Sequence, residues 1–222
     1  MQLVDPHHDI HAAVQHLRAV TELAQKQRDS AIRVTSSTCE ALMHIFSGTV
    51  ESIEQANHAL ASARSLQFDT TLSSIPQIWA LLDCVDLACS LLRYSHEEAK
   101  DKMSTMQKLL DELYEKAAWA DDGSLSIPLN CGHDKSLTAT ASGIFERDKN
   151  GNDFLLLQWL SKRDLYVVGY FMSSIATQLR NASDSKAQNY LLEGLKMMKG
   201  EIFTFSYISS TNSLQRTSRH QA

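Results

Sequence analysis

Between the first residue and residue 120 the chain carries one glycine, Gly48, and two prolines, Pro6 and Pro76. Strands folded into a sandwich or barrel need turn residues every 8–12 positions, and this stretch does not supply them. Aromatic residues make up only 7% of the chain, which also disfavours an all-β fold. Long helices are the remaining solution. The next stretch differs, because Gly123, Pro128, Gly132, Gly143 and Gly151 crowd into residues 121–153. It reads as a loop or insertion.

Hydrophobic periodicity places the helices. A first helix starting near Asp9 has an apolar stripe of Ile10, Ala13, Val14, Leu17, Val20 or Thr21, and Ala24. A second starts near Ser30, uses Ile32, Cys39, Leu42, Met43 and Phe46, and stops at Gly48. Thr49 caps a third, which runs to about Leu66 through Ile53, Ala56, Leu60 and Ala63. Ser74 and Pro76 open a fourth that is apolar almost all round, from Ile78 to Leu92, with Asp83, Asp86, Ser90 and Arg93 as a narrow polar strip. Ser95 and Glu98 form a capping box for a fifth, through Met103, Met106, Leu110 and Leu113.

Residues 121–142 have no period. The segments 143–147 and 153–157 flank an Asn150-Gly151 turn and read as a small hairpin. Helices resume at Ser161, with a core stripe of Leu165, Val168, Met172, Ile175 and Leu179. A last helix covers about Asp184–Met198, before Gly200. Residues 200–222 are rich in Ser and Thr and read as a flexible tail.

Three helical pairs result, roughly 30–67, 75–118 and 161–199. Ala56 and Ala99 lie 43 residues apart at matching positions, and Gly169, Ser173 and Thr177 make a face of small residues that admits a close neighbour. The expected fold is all-α: antiparallel helix pairs of the tetratricopeptide-like (TPR-like) kind in a superhelical stack. One domain spans 1–199, with a loop or β-hairpin insertion near 121–158.

With 21 basic and 26 acidic residues the net charge is -5, so no basic field favours direct, sequence-specific nucleic-acid binding. No apolar run is long enough for a membrane span. The four cysteines, at 39, 84, 89 and 131, lack a CxxC spacing and read as free thiols. His7 and His11 sit four apart near the start, but no HExxH accompanies them. A calcium loop starting at Asp148 puts Asp153 at the glycine position and Trp159 at the glutamate position, and one with Gly151 as its glycine puts Leu157 at the glutamate position, so a turn is the better reading. No metal, cofactor or catalytic constellation is assigned, and no enzyme activity. By surface logic alone, Asp83, Asp86, Arg93, Tyr166 and Tyr170 are the candidate partner contacts.

One stretch goes further. Trp159-Leu160-Ser161-Lys162, then Leu165-Tyr166-Val167-Val168-Gly169-Tyr170, then Lys186-Ala187-Gln188 and Leu191-Leu192-Glu193-Gly194-Leu195, resembles the smaller, helical-repeat subunit of the cohesin loader. Ser161 stands where many members carry proline, and the spacing from Trp159 to Ala187 is about one residue longer than theirs. Thr38-Cys39-Glu40-Ala41-Leu42, Ile75–Leu82, Asp86–Ser90 and the Trp119–Gly123 and Ser126–Pro128 segments are similar to the fungal branch. The likeness covers roughly residues 30–199.

This resemblance implies a superhelix wrapping the extended N-terminal segment of the large loader subunit. It also implies a nuclear, chromatin-associated, non-catalytic role in sister chromatid cohesion, with cohesin as an indirect partner. Family members are longer, which implies a partial chain with exposed repeat edges. Two other classes fit the residues alone: a repeat adaptor of the proteasome-lid or ubiquitin-ligase type, and a helical regulatory region of a fungal transcription factor.

Overall fold

A computed structural model of the protein describes residues 6–69, 72, 75–116, 122–129 and 144–199. The expected Ser74 cap, Cys131, Gly143 and the 200–222 tail lie outside the described residues. The described chain holds seven helices and a three-stranded sheet. It divides into two compact units: Met1–Cys89 with Ser124–Trp159, and Ser90–Gly123 with Leu160–Ala222.

In the first unit, α1 (Pro6–Gln27), α2 (Ser30–Ser47) and α3 (Val50–Arg64) pack consecutively, α2 touching both neighbours. The connections are short and locally determined. Asp29 caps α2 by accepting the amide of Ile32 at 3.1 Å. Gly48 ends it with φ +70, a left-handed conformation that costs glycine nothing. Thr49 then caps α3 by accepting the amide of Ser52. The first helix begins three residues earlier than expected, at Pro6, where a missing amide is harmless.

The expected stripe of α2 is corrected. Ile32, Cys39, Leu42 and Met43 are only half-buried, and Phe46 is exposed. The buried positions are Ala31, Val34 and Ala41 together with Thr35, Ser36, Ser37, Thr38, Glu40 and His44. A helix with a neighbour on two sides needs small side chains there. The hydroxyls of Thr35, Ser36 and Thr38 satisfy themselves by donating to the carbonyls of Ala31, Ile32 and Val34, each at 2.8 Å. On α1, Val20 faces solvent and Thr21 joins the packed face, bonding Ser36 at 2.8 Å.

The core of this unit gathers Val34, Ala56, Leu60 and Ala63 with Ile78, Leu81, Leu82, Val85 and Cys89 from α4 (Pro76–Leu92). Leu125 and Ile127 close it from β1 (Ser124–Pro128). That strand was not expected, although its alternation of exposed Ser124 and Ser126 with buried Leu125 and Ile127 is a half-buried strand pattern. It pairs antiparallel with β3 (Asp153–Gln158), which pairs on its other side with β2 (Phe145–Arg147), giving the order β1-β3-β2. The expected hairpin is present as β2 and β3, joined through Gly151 at φ +85. Asp148 accepts from Asn152, through its amide at 2.8 Å and its side chain at 2.9 Å, and from the amide of Asn150 at 2.8 Å, and this holds its carboxyl below the usual carboxylate range.

The second unit contains α5 (His96–Lys116), α6 (Lys162–Arg180) and α7 (Ser185–Lys199), with α6 against both others. Ser161 caps α6 through the amide of Asp164. The small-residue face of α6 is a close-packing face, and its neighbour is α5. A Cβ on Gly169 would stand 3.0 Å from Leu110 Cδ1, Ser173 accepts from Gln107 at 3.0 Å, and Thr177 meets Met103. The expected core stripe of α6 is corrected: Leu165 is buried, Val168 and Met172 are half-buried, and Ile175 and Leu179 are exposed.

Candidate functional site

Of the five residues expected at the surface, the structure buries four. Asp83, Asp86, Tyr166 and Tyr170 are each between 3% and 6% exposed, which corrects the surface reading. Arg93 is half-exposed and pairs with Glu98 at 3.2 Å.

Asp83 and Asp86 are brought together, as their spacing of three on α4 requires. The residue that explains them is Arg64, near the end of α3. Its guanidinium donates through Nε and Nη2 to Asp86 Oδ2, at 3.1 and 2.9 Å, and through Nη2 to Asp83 Oδ1. Burial pushes the Asp83 carboxyl above the usual range, and Arg64 pulls it part of the way back. The guanidinium itself is held above its ordinary value, because the two carboxylates outweigh its own burial. The arrangement is a buried ion triad that fixes α3 against α4. Arg64 lies 19 and 22 positions away from its partners, so helical spacing could not signal it.

A second polar cluster joins the first three helices. Arg18 on α1 donates to Glu40 at 2.6 Å and lies 3.3 Å from His44 Nε2, both on α2, and it donates to Gln55 on α3 at 3.2 Å. Burial lowers the His44 pKa, with Arg18 acting in the same direction and Glu40 opposing both. Neither Glu40 nor His44 was legible as a buried residue from apolar periodicity.

Tyr166 and Tyr170 stand one turn apart on α6 but serve different contacts. The Tyr166 phenol donates to the Leu110 carbonyl on α5 at 2.5 Å. Tyr170 turns toward α7, its ring 6.5 Å from that of Tyr190. Burial, with Glu193 and Asp111 nearby, pushes the Tyr170 phenol up to about 12. The His7–His11 pair lies partly outside the described side chains, and His11 contacts Gln15 at 2.9 Å. Among the described residues, no three His, Cys, Asp or Glu side chains converge as metal ligands.

These clusters hold helices together, and their side chains are engaged with one another. A family model described as cohesin loading factor matches residues 1–222, the whole chain. The chain belongs to the cohesin loading factor family. No curated protein and no solved structure matches it significantly. The family's work is cohesin loading, so protein partners in that process are the relevant ligands of this chain. The residues quoted for the resemblance now have structural roles. Tyr166 and Gly169 seat α6 on α5, while Tyr170, Ala187 and Gly194 seat α7 on α6. Among the described residues, no helix is long and apolar enough to cross a membrane.

Proposed function

We propose that this member of the cohesin loading factor family is a non-catalytic scaffold in the nucleus. It binds the extended N-terminal segment of the large loader subunit and so helps bring cohesin to chromatin. The observation that carries this reading is the family match over the full chain. Two helical hairpins, α2 with α3 and α6 with α7, support a TPR-like stack, because helices joined by short turns are the unit of such an array. A stacked array offers a long surface to a segment that orders on binding, and ordering spreads affinity over many weak contacts.

The test is co-expression of the full chain with the N-terminal segment of a cohesin-loader large subunit, followed by co-purification and sedimentation. A stable equimolar complex at micromolar concentration is expected. Two separate species at that concentration would overturn the reading.

A further inference from the structure

Helix α1 lies on a row of α2 that is polar throughout. Ser36, Glu40 and His44 follow one another at intervals of four on α2, each at most 9% exposed, and α1 meets them through Thr21 and Arg18. The apolar grip of α1 is slight: among its described side chains, only Val14 and Ala24 are buried. The row also tolerates water. Thr21 and Ser36 each reach a carbonyl of their own helix, Leu17 at 3.0 Å and Ile32 at 2.8 Å, so parting leaves neither hydroxyl without a partner. The joint between the two helices is strained. Arg28 stands between the end of α1 and the cap Asp29 at φ +56, a left-handed conformation that costs energy for a residue with a side chain. A helix held by few buried apolar contacts beside a strained joint is one that opens locally.

We propose that α1 is a strap released from α2 when His44 takes up a proton. The switch is an exchange of partners at Glu40. A guanidinium only donates, so His44 Nε2 accepts from Arg18 Nη2 at 3.3 Å and the ring in the closed arrangement is neutral. Glu40 Oε1 meanwhile holds Arg18 Nε at 2.6 Å and lies 3.6 Å from His44 Nε2. A proton on Nε2 removes the acceptor and sets a second cation beside Arg18. It also gives Glu40 a cation on its own helix, four residues along, so a bond within α2 competes with the bond across to α1. Gln55 on α3, which accepts from Arg18 at 3.2 Å, is neutral and offers no compensating charge.

Among the described residues, Arg18 from α1 and Glu40 from α2 are the charges that act on His44. From α3 the cluster receives the neutral Gln55, and β1 carries no titratable side chain. Burial lowers the His44 pKa, Glu40 opposes that and Arg18 adds to it. Release removes the burial and Arg18 but keeps Glu40, so the open form binds the proton more readily than the closed one. The strap is therefore closed above the ordinary histidine pKa and loosens as pH falls below it.

Hydrogen exchange of the full chain, resolved by peptide and compared between about pH 7.5 and about pH 5.5, tests this. After correction for intrinsic rates, protection of α1 is expected to fall at least about threefold on acidification, while that of α3 and α4 is kept. His44→Gln retains a neutral acceptor and should leave α1 equally protected at both pH values. Glu40→Gln should loosen α1 already at about pH 7.5 and show a smaller acid step. If either of these variants loses helix signal by circular dichroism, Arg18→Ala, at an exposed position, reads the same exchange, with α1 loose at both pH values. Protection of α1 that is unchanged by acid overturns the proposal. So does a loss shared equally by α3 and α4, which is general acid unfolding. A full acid step in His44→Gln overturns it as well, and so does α1 in Glu40→Gln as well protected at neutral pH as in the parent chain.

Discussion

Gly194 on α7 lies against Tyr170 on α6 so closely that a Cβ added to the glycine would stand 3.2 Å from the Tyr170 Cβ, and 3.1 Å from Phe171 Cε1. The backbones of the hairpin approach there because the side chain is missing. Ser174, one turn along α6, reinforces the contact by donating to the Ala187 carbonyl at 2.7 Å.

Gly194→Ala and Gly169→Ala should therefore part company. Each gains about 1 kcal/mol of helix propensity. At Gly194 the obstacle includes a Cβ fixed to its own backbone, so the hairpin must open, and a net loss of about 1–2 kcal/mol is expected. At Gly169 the nearest atom is Leu110 Cδ1, the free end of a rotatable side chain, so the propensity gain is largely kept. Urea midpoints of the two variants compared with the parent chain check this, and equal losses would contradict it.

Removing Arg64 leaves Asp83 and Asp86 without their guanidinium partner. Arg64→Ala is expected to destabilise the first unit by about 3 kcal/mol at neutral pH, the lower part of the range for breaking a buried pair, because Arg64 is itself partly exposed. The deficit should shrink as pH falls, since the Asp83 carboxyl is already pushed upward and neutralises first. Chemical denaturation at a series of pH values reads both effects. A deficit independent of pH would count against the triad.

His44 sets a second pH dependence, of opposite sign. Its pKa is lowered in the folded chain, so between that value and the ordinary 6.5 the unfolded chain binds more protons. Stability is full above about 6.5 and falls as pH drops through the window below it. His44→Gln should flatten the profile in this window while costing some stability at neutral pH. A profile that falls equally in the variant would assign the acid sensitivity to other groups.

The Cys84 and Cys89 thiols should be inert while the chain is folded. Burial, with Asp83 adjacent, raises the Cys84 thiol to about 12, and Cys89 is buried with its sulfur donating to the Ile53 carbonyl at 3.7 Å. Thiolate is the reactive form, so alkylation of both near pH 8 is expected only at the rate of unfolding. Mass-resolved labelling that finds either cysteine modified at the rate of a free thiol would contradict this packing.

Helix positions were legible because their signals are local. Gly48 with Thr49, Ser161 with Asp164, and Gly151 in its hairpin each act over three or four residues. The near-continuous apolar run of α4 announced burial on several sides, and the structure buries it so. Strand β1 was also present in the residues, as Ser124-Leu125-Ser126-Ile127, but five positions of alternation are a weak signal inside a glycine-rich stretch.

Four of the candidate contacts are buried for a physical reason. A polar residue on an otherwise apolar helix points to the water side, and burial of a charge requires a partner that sequence distance conceals. Asp83 and Asp86 found Arg64 from another helix; Tyr166 found a carbonyl 56 positions away. The sequence by itself determined that this chain is helical, where most of its helices begin and end, and to which family it belongs. Only the tertiary structure decided which faces of α1, α2 and α3 meet, because hydroxylated residues such as Thr35, Ser36 and Thr38 carry no hydrophobic signal. They are buried because helices must pass close there.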